Sequence, residues 1–317
     1  MMLLWGLAFL LGIAAIVWGA EAFAEHLGAA ATRLGVSAFA LALLLAGAEP
    51  EELATVVAAA LGHAPGVALG DVIGANVAVS LVALGVGAAV APLPFRADVM
   101  RYALLGLPLG AAAAWLAWDG RISRAAGAIL VALYGLYVAA IWIAERKPPA
   151  LGEVHELAEA AGKPPGRIGR ALLMVLVGVA AMAGGATLLV EVVRRVTAVE
   201  ATQTLLGLTI VGFATAFELV VLAWSAARRG AAEAAVAGVV GSFAYNVTMT
   251  LGAGALARPL VLRDAAALHL PWLCMLASLA LVVALAAWRG KLGRGQGVLL
   301  LAAYPLFILV VLWAVPR

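Results

Sequence analysis

Almost the whole sequence divides into apolar stretches of about 20 residues, the length a helix needs to cross the hydrocarbon layer of a bilayer. Ten can be marked, at 2–24, 34–62, 66–92, 100–118, 123–144, 171–193, 202–227, 232–257, 266–288 and 296–315. Lipid offers no water to a backbone N–H or C=O, so spans of this kind close their hydrogen bonds internally, as helices. The chain therefore reads as an all-α membrane protein whose first partner is the lipid bilayer. Composition agrees: 66% of residues are hydrophobic and 12% charged, far from the about 45–50% and 25% of a soluble domain.

Two spans are unusual. The stretch 34–62 is long for one straight crossing and contains Gly47 and Pro50, which predicts a discontinuous helix. The first stretch has no Lys or Arg before it and carries Glu21 and Glu25 near its end. It lacks the charged start of a cleaved signal peptide and is expected to stay as a membrane helix.

Thirteen of the 20 Lys and Arg fall in loops on one side of this layout and seven on the other. The richer side is expected to be cytoplasmic, which puts both termini outside and the loop 145–170 inside, in a cell (inner) membrane. Spread over short loops, the net charge of +3 sets topology, so no nucleic-acid partner is expected. The single cysteine, Cys274, sits in an apolar run and excludes an intrachain disulfide or a thiolate metal cluster. The longest loop has Pro pairs at both ends and reads as a linker; its Glu153, His155, Glu156 and Glu159 fit a solvated helix face better than a regulatory cation site.

That linker separates a first unit, 1–144, from a second, 171–317. Sliding the sequence by 167 positions lays GVGAAVAPLPFR (85–96) over GAGALARPLVLR (252–263) and pairs Gly74 with Gly241. With no gap, the same shift pairs Glu51 with Glu218. Five spans per unit is odd, so the second copy enters the membrane from the opposite side. About ten transmembrane helices in two inverted-topology repeats of five follow, with broken helices and a binding site near the midplane.

Carboxylates at that depth cost at least about 2.5 kcal/mol each, and normally face a partner, a cation or a water-filled cavity. Three stand in AGAEPEELATVV (46–57), at Glu49, Glu51 and Glu52, and one in GLTIVGFATAFEL (207–219), at Glu218. These segments, with GVALGDVIGANVAVSLVALG and ARRGAAEAAVAGVVGSFAYNVTMTLG, resemble the two conserved repeats of the cation/calcium exchanger superfamily, which includes sodium/calcium and calcium/proton exchangers. Each repeat of that family has GTSxPE on a broken helix and GNxxGSNxxN on the next, with calcium between the two repeat glutamates.

The resemblance implies a cation site drawn from Glu218 and either Glu51 or Glu52, with Glu49, Asp71, Asn76, Thr215, Ser242 and Asn246 around it. The 167-residue shift favours Glu51 as the first-repeat ligand; the spacing to Gly74 and Ala75 favours Glu52. The first repeat departs from the pattern, with Ala48, Ala75 and Val79 in place of Thr, Ser and Asn and with extra acids at Glu49 and Asp71. Sodium wants several neutral oxygens, whereas a divalent ion or a proton is better served by carboxylates.

The function implied is secondary active antiport, calcium against sodium or protons, by alternating access. No covalent cofactor is implied, and a monomer is expected. Other transported cations (magnesium, manganese or potassium) and a passive cation channel stay open as alternatives. A membrane enzyme is disfavoured, since no HExxH or GxSxG occurs. Tyr245 reads as packing, His63 as part of an outer turn, and Trp5, Trp18, Trp272 and Trp313 as an aromatic belt at the span ends.

Overall fold

The computed structural model describes residues 2–33, 48–145, 168–229 and 232–315. Predicted features at 34–47, including Gly47, and the linker residues Glu153, His155, Glu156 and Glu159 lie outside them. Among the described residues, nine helices are long and apolar enough to cross a membrane.

The first half contains α1 (Met2–Arg33), α2 (Pro50–Leu61), α3 (Pro65–Val90), α4 (Ala97–Leu116) and α5 (Arg124–Glu145). The second contains α6 (Ile168–Val196), α7 (200–215), α8 (Phe217–Arg229), α9 (232–257), α10 (Ala266–Arg289) and α11 (Arg294–Ala314). Four two-residue strands, β1 (Leu93–Pro94), β2 (Arg121–Ile122), β3 (Leu260–Val261) and β4 (Lys291–Leu292), lie in the connections.

The repeat is visible in the irregularities of the backbone. In α3 the helix widens to a π turn at Val79–Ala83, and in α9 at Asn246–Thr250, 167 positions on. α2 begins at Pro50 and α8 at Phe217, again 167 positions apart. β1 and β3 keep the same spacing, and Gly120 and Gly290 turn the chain with positive φ, 75° and 65°, just before β2 and β4.

Strand pairing shows that the repeats are inverted. β1 pairs antiparallel with β4, and β2 with β3. The α3–α4 connection therefore shares a face with the α10–α11 connection, and the α4–α5 connection shares the opposite face with α9–α10. Repeats inserted in the same direction would put β1 beside β3 instead.

The helices meet accordingly. A methyl group on Gly12 would lie 3.0 Å from the carbonyl oxygen of Gly185, and one on Gly19 2.7 Å from that of Gly178. Residue numbers run in opposite directions through these contacts, so α1 and α6 are antiparallel, in backbone contact through small residues. α3 meets α11 at Gly85 and Gly297, and the equivalent contact joins α9 to α5 at Gly252 and Gly127.

Two expectations change. α1 runs to Arg33 instead of stopping near residue 24, because Glu21 and Glu25 are exposed and cost the helix nothing. Trp272 is fully buried in α10 and does not belong to a belt; Trp18 and Trp313 do face outward.

Candidate cation site

At the centre of the molecule two helices start in mid-membrane. Pro50 opens α2: its fixed φ and missing N–H suit the first helical position, and Glu49 before it is non-helical (φ −121°, ψ 84°). Glu51 and Glu52 occupy the first turn, where the positive end of the helix dipole favours carboxylates. Thr55 Oγ1 donates to the Glu51 carbonyl at 2.9 Å. In the second half α7 ends at Thr215, Ala216 interrupts it, and Glu218 stands in the first turn of α8. Both repeats thus present a helix N-terminus carrying a glutamate at its second position.

Burial is nearly complete for most of the expected site. Glu49, Glu51, Glu52, Asp71, Asn76, Thr215, Ser242 and Asn246 are all buried, and Glu218 is half-buried. α3 supplies Asp71 and Asn76, and its backbone lies directly on α7: a methyl group on Gly212 would sit 2.5 Å from the Ala75 nitrogen and 2.9 Å from the Asp71 carbonyl oxygen. Only glycine permits that approach.

The contact places Thr215 beside Asp71, and Thr215 Oγ1 donates to Asp71 Oδ1 at 3.1 Å. Glu52 lies close to both of these side chains, with Glu51 in electrostatic range of Glu52 and Asp71. Glu51 and Glu52, neighbours in sequence, therefore have different surroundings. The 167-residue spacing of the helix starts makes Glu51 the positional equivalent of Glu218, while Glu52 lies beside Asp71 and Thr215.

Several oxygens point inward unengaged. Glu52 Oε2, Asp71 Oδ2 and Asn76 Oδ1 have no hydrogen-bond partner among the described residues. Asn76 is held in that orientation because its Nδ2 donates to the Val72 carbonyl at 2.8 Å. On α9, Ser242 Oγ donates to the Val239 carbonyl at 3.2 Å and Thr250 Oγ1 to Asn246 Oδ1 at 3.3 Å. The π turn holding Asn246 packs against α2 and α3, and the π turn at Val79 packs against α8. Among the described residues no three acidic, His or Cys side chains form a ready-made metal cage. A cation here would draw on amide, hydroxyl and carbonyl oxygens as well as carboxylates, a mixture that suits a hard ion.

The family model for the sodium/calcium exchanger protein matches residues 4–143 and 170–313, nearly the full chain. The chain belongs to the sodium/calcium exchanger protein family. Among relatives of this exchanger, the uncharacterized membrane protein MJ0091 of Methanocaldococcus jannaschii is 26% identical over 303 residues, 93% of this chain and 94% of the relative. The inner membrane protein YrbG of Escherichia coli is 27% identical over 277 residues, 84% of this chain and 83% of the relative. A solved structure of the sodium-calcium exchanger NCX_Mj superposes with a TM-score of 0.63 at 23% identity, covering 98% of this chain and 99% of that one. This last likeness shows a common fold.

Within the exchanger, sequence reasoning missed four buried hydroxyls near the acids and the π turns: Thr55, Ser80, Thr248 and Thr250. Thr250 had a signal, since it follows Asn246 by four positions on a helix. Tyr245 packs edge-on against Tyr134, as expected. His63 lies in the turn between α2 and α3, with φ 59°. His269, half-buried, stacks on Trp118 at 4.0 Å and its Nε2 lies 2.8 Å from the Trp118 carbonyl oxygen.

Proposed function

We propose that this exchanger is a secondary active antiporter that carries Ca2+ against Na+ or H+ by alternating access. The observation that supports it most directly is the pair of mid-membrane helix starts, each bearing a glutamate, Glu51 and Glu218, at equivalent positions of inverted repeats. In this reading the two carboxylates hold the calcium ion from opposite sides. Oxygens of Asn76, Thr215, Ser242 and Asn246 complete its shell, with Glu49, Glu52 and Asp71 next to it. Calcium takes 6–8 oxygens, a number that carboxylates alone do not supply here. Counter-ions compete for the same oxygens, and exchange results because the empty, charged site does not readily reorient across the membrane.

The chain is assigned to the cell (inner) membrane as a monomer with both termini outside and the loop 145–170 cytoplasmic, flanked by a first repeat at 1–144 and a second at 171–317. The Lys and Arg distribution and the inner-membrane relative support that placement. Calcium uptake into proteoliposomes under an outward sodium gradient, a matched pH gradient, or neither tests the reading. Uptake that requires one of the two gradients is the expected result. Uptake that proceeds equally without either would make the protein a passive channel, and no calcium movement would assign the site to another cation.

A further inference from the structure

On the face closed by β2 and β3, away from the mid-membrane acids, lies a cavity of about 730 Å³. Three arginines from separate parts of the second half border it: Arg194 near the end of α6, and Arg258 and Arg263 in the α9–α10 connection. His63, at the α2–α3 turn of the first half, borders it too, from a left-handed backbone position that side chains other than glycine adopt rarely. A strained residue on a cavity wall is a recurrent mark of a binding site.

The one acid on the wall, Glu200, offsets only one of these three charges, that of Arg263. Its Oε1 accepts the Arg263 backbone N–H at 3.0 Å and its Oε2 lies 3.9 Å from Arg263 Nε. Arg194 is 3.5 Å from Glu191. Arg258 has no ion-pair partner among the described residues. The wall therefore keeps a net positive charge, which repels cations, and its guanidinium groups have the fork geometry that grips phosphate oxygens in pairs. Gln203 steadies the α6–α7 connection beside it by donating to the Thr197 carbonyl at 3.0 Å.

We propose that this cavity binds a phosphate-bearing anion through Arg194, Arg258 and Arg263, either a free inorganic phosphate compound or the headgroup of an anionic phospholipid. Its occupant ties the end of α6 to the α9–α10 connection. The proposal is independent of which cation the exchanger carries, because none of these arginines belongs to the cation site.

The test is thermal unfolding of the purified full chain. One arm titrates inorganic pyrophosphate in neutral detergent, against sodium chloride of matched ionic strength. The other compares phosphatidylcholine nanodiscs with and without phosphatidylglycerol. A saturable rise in the unfolding midpoint is expected in at least one arm, and the arm identifies the source of the phosphate. The rise is lost in Arg258→Gln/Arg263→Gln and kept in Arg289→Gln, on the opposite face. Arg258→Lys, which retains charge and fold but not the fork, weakens binding about tenfold. No rise beyond the salt control in either arm, or an undiminished rise in the double variant and in Arg258→Lys, overturns the proposal.

Discussion

Thr215 and Asp71 are 144 positions apart in sequence, yet the Thr215 hydroxyl donates to the Asp71 carboxylate at 3.1 Å across the junction of the two repeats. Each belongs to a different half, and the bond is possible only because Gly212 brings α7 into backbone contact with α3. The candidate site is thus assembled at the seam between two copies of one unit, and its integrity can be probed from either side.

Removing the hydroxyl is expected to be costly. Thr215→Val leaves a buried carboxylate oxygen without its donor, a loss of about 1–3 kcal/mol. Thr215→Ser should recover most of it. Unfolding midpoints of the three proteins in the same detergent check the order, which is wild type, then Ser, then Val.

The backbone seam makes a second prediction. Gly212→Ala places a methyl group 2.5 Å from the Ala75 nitrogen, so α3 and α7 must separate, at about 1–3 kcal/mol. Gly135→Ala, with nothing within 4 Å, should be neutral or slightly stabilising, as alanine suits a helix better. Thermal unfolding of both variants separates the effect of contact from that of helix propensity.

Val79 stands where the second repeat has Asn246, at the start of the equivalent π turn, which packs against α8. Val79→Asn adds a neutral oxygen on that side. Sodium, which favours neutral oxygens, should then compete with calcium several-fold better, read as the sodium concentration that halves calcium uptake. Burying the amide is expected to lower stability by about 1–3 kcal/mol if it gains no partner.

Much of this arrangement was legible in the sequence because a membrane makes polar residues conspicuous. Glu51 and Glu218 stood out by depth, and the ungapped shift of 167 that pairs them also relates the helix starts at Pro50 and Phe217 and the strands β1 and β3. The break before Phe217 was harder to see: the first repeat marks its break with Pro50, while the second has no proline there and interrupts the helix at Ala216. The π turns left no signal of their own, since one extra residue in a uniformly apolar helix alters no pattern. Trp272 was misread for a similar reason. A tryptophan near a span end suits a lipid interface and a buried helix face equally well, and only packing decides.

The central claim is that Glu51 and Glu218 hold the transported cation together, and calcium uptake by Glu218→Gln in proteoliposomes under the gradient that drives the wild type tests it most directly. Glutamine keeps the size and hydrogen-bonding capacity of the side chain but removes its charge, so the fold, followed by unfolding midpoint, should stay intact. Uptake is expected to fall to the level of protein-free vesicles, and Glu51→Gln should behave the same way. Full uptake by a well-folded Glu218→Gln protein would contradict the account.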